Sequence, residues 1–262
     1  MSVLAGKRAL ITGSTAGLGL VIGESLASVG CSVVLHGRAS VESMAATCLT
    51  LSDKYATSVS YLNADLSTTE GVTELVEDAI STLGGIDILV NNAVTRSFAP
   101  VHELGVEDWD KALAVNLSAV FHAVRLVLPG MRERGWGRVF NMTSIYGSRG
   151  TPNRVDYVTT KSALLGLTRV VALENLNFGI TCNAISPGST LTPSIAVRVE
   201  ALKESEGLSD EEAVQRFLEG KQPSGRFNQA EHVGELITFL CGAAGTDITG
   251  TMLPLDGGWL AN

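Results

Sequence analysis

The chain has little that would place it in a membrane or on nucleic acid. No uncharged apolar run reaches the roughly 18 to 20 residues that span a bilayer. The N-terminus has neither a basic leader nor a small-residue cleavage site. Its 19 Lys and Arg against 27 Asp and Glu give a net charge of -8, and phosphate binding requires clustered bases. We therefore expect a cytoplasmic protein with neither membrane nor nucleic acid as partner.

Cysteine pairs and metal-ligand spacings are also absent from the sequence. Cys31, Cys48, Cys182 and Cys241 are scattered among apolar neighbours, with no Cys-x-x-Cys pair and no histidine at ligand spacing. Isolated cysteines of this kind behave as small hydrophobic residues in cores. The sequence therefore predicts neither a disulfide framework nor a metal site.

What the chain does contain is an alternation of short apolar runs and segments of helical length. With 262 residues, 45% of them hydrophobic, it suits one domain with a large core. The predicted strands are Arg8–Thr12, Ser32–His36, Val59–Asn63, Ile86–Val90, Arg138–Met142, Thr181–Ile185 and Met252–Leu255. This β-α alternation predicts a single-domain α/β Rossmann fold over residues 1–262, with a doubly wound, mostly parallel seven-stranded sheet and helices on both faces.

Helix boundaries have local signals. Ser-x-x-Glu capping boxes are predicted at 67–70 and 209–212. A helix beginning near Glu107 is expected to end at Gly135, because glycine suits the left-handed position that follows a helix. Residues 189–228 form a polar insertion between the sixth strand and the last helix, and an excursion of that length is typical of a substrate lid.

A glycine cluster follows the first predicted strand. Gly13, Gly17 and Gly19 permit a tight turn and a helix that begins close to the sheet, so that a pyrophosphate can meet the helix N-terminus. Residues 91–93, Asn-Asn-Ala, follow the fourth strand and can floor the same pocket. Asp65, after the third strand, either accepts a hydrogen bond from an adenine amino group or caps a helix. The cluster predicts a dinucleotide site.

Tyr157 and Lys161 indicate proton transfer. Four residues apart on a helix they share one face, so the ammonium lies near the phenol and favours its ionised form. Ser144 ends the fifth strand at the same edge of the sheet, where its hydroxyl can hold a substrate oxygen or simply cap a turn. Asn116 lies within a predicted helix, where a purely structural role would be a hydrogen bond inside that helix.

Taken together, these elements resemble the short-chain dehydrogenases/reductases in order and spacing, over essentially the whole chain. The resemblance implies a homotetrameric NAD(P)-dependent oxidoreductase whose catalytic residues are Asn116, Ser144, Tyr157 and Lys161. It implies a cofactor site at Gly13, Thr15, Gly17, Leu18, Gly19, His36, Arg38, Asp65, Leu66, Asn92, Ala93, Tyr157, Lys161, Pro187 and Gly188. Val94 departs from the glycine usual in the family and is expected to narrow the cofactor floor.

Within the family the framework is most similar to bacterial D-3-hydroxybutyrate dehydrogenases. That likeness implies a substrate pocket formed by Arg96, Ser144, Tyr146, Arg154, Tyr157, Arg198 and Trp259. Arg96 and Arg198 replace neutral glutamines of those enzymes, and Arg154 replaces a lysine. The added positive charge favours an anionic hydroxy acid, including one with a second or stronger anion such as a dicarboxylate, sulfonate or phosphonate. Alternatively, Arg96 and Arg198 face solvent or pair with Glu. A sugar or polyol dehydrogenase, a 3-oxoacyl reductase and, remotely, a non-catalytic binding scaffold also stay open.

The cofactor preference depends on the end of the second strand. An acidic residue there would bind the ribose hydroxyls of NAD, whereas this chain has His36, Gly37 and Arg38. Arg38 can pair with the 2′-phosphate of NADP, but residues 14–16 add no further base. The hydroxybutyrate dehydrogenases that the chain resembles use NAD without that acid. NAD is therefore slightly favoured over NADP.

Overall fold

A seven-stranded parallel sheet in the order β3-β2-β1-β4-β5-β6-β7 organises the protein. The computed structural model describes residues 4–262. The strands are β1 (Arg8–Ile11), β2 (Ser32–Gly37), β3 (Val59–Asn63), β4 (Ile88–Asn91), β5 (Gly137–Met142), β6 (Ile180–Pro187) and β7 (Met252–Leu255). Each neighbouring pair is parallel. The predicted Rossmann fold and its seven strands are confirmed, with small shifts at the strand ends.

Helices cover both faces of this sheet. They are α1 (Gly17–Ser28), α2 (Val41–Tyr55), α3 (Thr69–Leu83), α4 (Val106–Leu113), α5 (Ala119–Arg134), α6 (Val155–Asn175), α7 (Pro193–Glu206), α8 (Asp210–Leu218) and α9 (Ala230–Cys241). One core layer joins the sheet to α1, α2 and α9, and the other joins it to α3, α5 and α6. In β1, Ala9 and Ile11 face the first layer and Leu10 faces the second. Because both faces are buried, the strand sequence is continuously apolar rather than alternating.

The strand order reverses beside β1, which pairs with both β2 and β4. The two halves of the chain leave the sheet on opposite sides of this point, so a crevice opens at the carboxyl ends of the strands. The glycine cluster follows β1 and the Asn-Asn-Ala segment follows β4, so both border this crevice.

The long helix predicted from Glu107 is interrupted by one wide turn. Helices α4 and α5 are joined without a break by a π-helical segment at Ala114–Ser118, and Gly135 ends α5 at φ 64°, as predicted. Val106–Arg134 is the one helix among residues 4–262 long and apolar enough to cross a bilayer. In this fold α5 packs against α3 and β5.

Only one of the two predicted capping boxes is correct. Ser209 and Glu212 cap α8 reciprocally. The prediction at 67–70 is wrong by one residue, because the Thr68 hydroxyl accepts a hydrogen bond from the Gly71 amide and is the N-cap of α3. Residues 189–228 form α7 and α8, which pack together around Phe217, Leu218 and Phe227.

Candidate active site

A cavity of about 880 Å³ opens at the carboxyl ends of the strands, on the switch point of the sheet. It contains every side chain predicted for the cofactor and substrate sites. The predicted residues on its wall are Gly13, Thr15, Gly17, Leu18, Gly19, His36, Arg38, Asp65, Leu66, Asn92, Ala93, Arg96, Ser144, Tyr146, Arg154, Tyr157, Lys161, Pro187, Gly188, Arg198 and Trp259. Val94 lines it too, at the position where the family usually has glycine. Asn116 is the one predicted site residue that does not reach the wall.

Glycine is required in the loop after β1 for two reasons. Gly13 and Gly17 have φ of 64° and 57°, a backbone region that disfavours side chains. A Cβ on Gly13 would lie 2.7 Å from Ala93 Cα, and one on Gly19 would collide with the Gly13 carbonyl. These positions leave a cradle of backbone at the start of α1, which suits a pyrophosphate.

Polar side chains join this loop to the segment after β4. Asn92 Nδ2 donates to the carbonyl oxygens of Thr12 at 3.0 Å and Gly13 at 2.7 Å. In return, Thr12 Oγ1 accepts from the amides of Asn92 and Ala93 at 3.0 and 3.1 Å. The sequence does not predict this role for Thr12, because a pairing between distant segments has no local signal.

His36 is a buried support for the loop. Its Nδ1 accepts from the Gly13 amide at 3.2 Å, and its Nε2 lies 3.2 Å from the Ala64 carbonyl oxygen, so Nε2 carries the proton. Burial lowers the pKa of His36 to about 4. The ring is therefore neutral at neutral pH and fixes the spacing between β1, β2 and β3.

Two charged residues of the cavity wall, Arg38 and Asp65, are exposed to solvent. Asp65 Oδ1 accepts from the Ser67 amide at 2.9 Å, and this bond lowers the pKa of the Asp65 carboxyl. Asp65 closes a local turn, and the cap of α3 is Thr68. The helix-cap interpretation of Asp65 is therefore wrong, and its second carboxylate oxygen stays available at the cavity wall.

The predicted tyrosine and lysine lie together in the first turns of α6. Tyr157 is buried, and Lys161 Nζ lies 5.7 Å from the centre of its ring. Lys161 Nζ donates to the Met142 carbonyl oxygen at 2.5 Å. Burial, and to a smaller extent the nearby charge of Arg96, lower the pKa of Lys161 to about 7.

Ser144 follows β5 and lies at the cavity wall. Its Oγ accepts from the Tyr146 amide at 3.3 Å and caps a short 3-10 helix at Ile145–Gly147. A hydroxyl has a second lone pair and a proton to offer. The two sequence interpretations of Ser144, a turn cap and a substrate contact, are therefore compatible.

Asn116 lies in the π-helical segment, buried behind the cavity wall. Its Oδ1 accepts from the Thr95 amide at 2.8 Å, and its Nδ2 donates to the Thr95 carbonyl at 3.0 Å and to Thr160 Oγ1 at 3.3 Å. These bonds cross to the β4 loop and to α6 rather than staying within its own helix. Wide turns of this kind inside α-helices often mark functional positions.

Two of the three predicted arginines contact the ring of Tyr157. The guanidinium carbons of Arg96 and Arg154 lie 5.2 and 4.6 Å from the centre of the Tyr157 ring. Arg154 also stacks on Phe98 at 4.4 Å. Its Nε is buried and has no hydrogen-bond partner among residues 4–262. This nitrogen is a donor available beside Tyr157.

The third arginine, Arg198, lies across the cavity on α7. Its neighbour Lys221 was not predicted as a site residue. Arg198 and Lys221 lie 5.3 and 4.3 Å from the centre of the Phe217 ring. Lys221 Nζ also donates to the Phe217 carbonyl at 2.6 Å. Lys221 and Phe217 both line the cavity, but neither belongs to a motif whose spacing reveals it.

Aromatic rings form the remaining wall near Tyr157. The Tyr146 ring centre lies 5.6 Å from that of Trp259 and 6.5 Å from that of Tyr157, both edge-on. Arg149 Nη1 donates to the Trp259 carbonyl at 2.8 Å and holds the C-terminal segment in place. The substrate end of the cavity is therefore apolar between its charged groups.

The cavity is strongly cationic, although the whole chain is acidic. Seven Lys and Arg side chains line it, whereas Asp65 is the only acidic one. Within residues 4–262, none of Arg96, Arg154 and Arg198 forms an ion pair. Arg96 and Arg198 are exposed, as the bland interpretation expected, but neither pairs with Glu. In the part of the chain described here, no group of His, Cys, Asp and Glu has the arrangement of a metal site.

A backbone cradle for a pyrophosphate therefore adjoins a buried phenol, a buried ammonium and a serine hydroxyl. This combination defines an oxidoreductase that binds a nicotinamide dinucleotide beside a carbonyl or alcohol. Comparison with known proteins agrees, since the sequence matches the family described as short chain dehydrogenase over residues 7–203. The chain belongs to the short-chain dehydrogenase/reductase family.

Two curated relatives are D-beta-hydroxybutyrate dehydrogenases. That of Cupriavidus necator is 38% identical over 99% of this chain and 100% of its own length. That of Rhizobium meliloti is 35% identical over 97% of this chain and 99% of its own length. A solved structure, L-sorbose reductase from Gluconobacter frateurii complexed with NADPH and L-sorbose, is 33% identical with a TM-score of 0.93 over 100% of both chains. The chain is thus an NAD(P)-dependent oxidoreductase, as the sequence predicted.

Proposed function

We propose that the protein interconverts the secondary alcohol and the ketone of a small anionic hydroxy acid. The observation that carries this proposal is Arg154, a half-buried guanidinium with an unpartnered Nε beside Tyr157. A buried donor without a partner is costly, and a carboxylate or a similar anion would satisfy it. The similarity to hydroxybutyrate dehydrogenases gives independent support.

The proton in this reaction is assigned to Tyr157. Bound NAD(P) supplies or accepts the hydride. The Tyr157 phenol donates its proton to the carbonyl oxygen in reduction and removes it from the alcohol in oxidation. Ser144 Oγ holds the same oxygen, and Lys161 Nζ lies 5.7 Å from the centre of the Tyr157 ring. Asn116 acts from behind the wall by holding Thr95 and Thr160 in place.

The backbone of the glycine loop supports the predicted cofactor site. In this assignment the cradle at Gly13 and Gly19 holds the pyrophosphate, Asn92 and Ala93 floor the pocket, and Asp65 reaches the adenine. We also retain residues 189–228 as a lid, because α7 brings Arg198 to the cavity.

Arg154→Gln should show whether the enzyme recognises an anionic group of its substrate. We expect kcat/KM for 3-hydroxybutyrate to fall by about 30-fold or more, because the variant loses a desolvated ionic contact. Turnover of uncharged polyols should not fall in parallel. Steady-state kinetics on both substrate classes measures this. Arg226→Gln is the matched control, since Arg226 is exposed and lies outside the cavity wall.

A sugar or polyol dehydrogenase is the second candidate, favoured by the close structural similarity to L-sorbose reductase. For such an enzyme the arginines are incidental. Strict preference for uncharged alcohols, with no effect of Arg154→Gln, would reject the hydroxy-acid proposal and support this one.

For the cofactor, we propose a slight preference for NAD. Arg38 is an exposed residue, and an exposed ion pair contributes at most about 1 kcal/mol. That is too little to enforce strict use of NADP. We expect Arg38→Gln to weaken NADPH binding by about fivefold and to leave NADH binding nearly unchanged. Fluorescence titration of both reduced cofactors measures this, and tighter binding of NADPH to the unaltered enzyme would overturn the preference.

We further propose a homotetramer. Exposed apolar side chains on α5 and α6, including Phe121, Val170 and Leu173, are suited to burial between subunits. Sedimentation equilibrium checks this, and a monomer at micromolar concentration would contradict it.

A further inference from the structure

Four cations at the substrate end of the cavity form two pairs, each on one aromatic ring. Arg96 and Arg154 flank Tyr157 at 5.2 and 4.6 Å. Arg198 and Lys221 flank Phe217 at 5.3 and 4.3 Å. All four side chains line the same cavity. The first pair lies beside the proposed proton donor, and the second lies on the segment that contains α7 and α8.

Each pair carries charge that the protein does not neutralise. Burial lowers the pKa of Arg154, the Tyr157 phenol raises it and the charge of Arg96 lowers it. Burial and then the charge of Arg198 lower the pKa of Lys221. No acidic side chain of residues 4–262 forms an ion pair with any of the four cations. Repulsion within each pair would be relieved by one bound anion.

The two pairs belong to different parts of the fold. Arg96 follows β4 and Arg154 begins α6, whereas Arg198 lies in α7 and Lys221 follows α8. A carboxylate has two oxygens and fits one guanidinium fork. One carboxylate beside Tyr157 therefore leaves the second pair unmatched.

We propose that the substrate is a hydroxy acid with two anionic groups, one bound by Arg96 and Arg154 and the other by Arg198 and Lys221. This inference rests on the proposed function and narrows its substrate class. It assigns Lys221 a role in specificity, because its ammonium contacts the second anion. Phe217 holds both members of the second pair on one ring, as Tyr157 does for the first.

Matched substrates test the second anion. 3-Hydroxyglutarate and its monomethyl ester share the carbon chain and the reacting alcohol but differ by one charge. We expect kcat/KM for the diacid to exceed that for the half-ester by about tenfold or more, because the second anion contacts two cations at once, of which Lys221 is partly buried. A diacid analogue ending in sulfonate tests whether the second site requires carboxylate or accepts any anion, and turnover above that of the half-ester supports the proposal.

Variants of the second pair test whether the preference for the diacid depends on Arg198 and Lys221 rather than on the reactivity of the two substrates. In Arg198→Gln and in Lys221→Met, the ratio of kcat/KM for the diacid to that for the half-ester should fall to within about twofold of one. Lys203→Gln should retain the ratio of the unaltered enzyme, since Lys203 lies on α7 but pairs with Glu200 and Asp210 outside the cavity. Calorimetric binding of glutarate to the cofactor-bound enzyme should show the same preference over its half-ester without turnover.

The outcomes separate this inference from the proposed function. Turnover of 3-hydroxybutyrate with no advantage for the diacid would overturn the second site and leave the proposed function intact. A diacid preference that persists in both variants would also overturn it. If no hydroxy acid is turned over and uncharged alcohols are, both proposals fail together.

Discussion

Tyr157→Phe should lower kcat by about 10³-fold, because the variant removes the only group on the cavity wall that we assign to proton transfer. The phenylalanine ring keeps the packing against Arg96 and Arg154, which contact the face of the ring rather than its hydroxyl. The loss should therefore fall on kcat, while cofactor affinity and thermal stability change little. Stopped-flow measurement of reduced-cofactor absorbance, together with a cofactor titration, separates these effects.

Tyr55→Phe is the matched control for this variant. The Tyr55 hydroxyl donates to Glu24 at 2.9 Å on α1, far from the cavity wall. Its loss should leave kcat unchanged, although it removes a hydroxyl of the same kind. If Tyr157→Phe were as active as Tyr55→Phe, the Tyr157 phenol would not be the group that transfers the proton, and the assignment of that role to Tyr157 would be wrong.

The fold could be predicted because its signals are local. The apolar runs of β1, β2 and β4 are buried on both faces, so their sequences have a simple pattern. The glycines after β1 also have a local cause, since Gly13 and Gly17 need positive φ. Such features depend only on neighbouring residues in the chain. Their presence in the sequence therefore determines where the cavity forms.

The errors and omissions have non-local or finely balanced causes. Ser67 and Thr68 are adjacent hydroxyl residues, and only the backbone around Asp65 selects Thr68 as the cap of α3. Lys221 reaches the cavity because α7 and α8 pack around Phe217, which no spacing in the sequence encodes. The support of the glycine loop by His36 likewise requires that β1, β2 and β3 be adjacent.

The substrate residues were predicted by resemblance rather than by pattern. Comparison with hydroxybutyrate dehydrogenases located Arg96, Arg154 and Arg198, and the structure places all three on one cavity. The sequence could not show that they divide into separate groups, or that Arg198 is grouped with Lys221 instead. That division depends on the distance between elements, and it is what changes the expected substrate from one anion to two.

Lys161→Met should lower the activity of the enzyme and raise its stability. We expect kcat to fall by about 10²-fold or more, because the ammonium beside Tyr157 is lost. At the same time the enzyme without cofactor should become more stable, since Lys161 is a buried cation whose pKa burial lowers to about 7. The change in the pKa of Lys161 from 10.5 to about 7 corresponds to about 5 kcal/mol below pH 7, and leaving the Met142 carbonyl without its donor costs about 2 kcal/mol. The net gain below pH 7 should be about 3 kcal/mol.

The lowered pKa of Lys161 also predicts how the stability difference between the two proteins changes with pH. Below about pH 7 the folded and unfolded states of the unaltered enzyme both hold the Lys161 proton, so the full burial cost applies. Between about pH 7 and the unfolded value of 10.5, only the unfolded state keeps the proton, so the unaltered enzyme gains stability as pH rises. Lys161→Met has no such gain. Its advantage in Tm should therefore be largest near pH 6 and should shrink by about pH 9.

Thermal melts at both pH values, without cofactor, measure the effect. Lys203→Met is the control, because Lys203 forms surface ion pairs with Glu200 and Asp210. Its loss should neither stabilise the fold nor lower kcat. A Lys161→Met enzyme that is less stable than the unaltered protein at the lower pH would show that the ammonium is a structural contributor to the folded state. The buried lysine would then be retained for its bond to Met142 rather than for its position beside Tyr157.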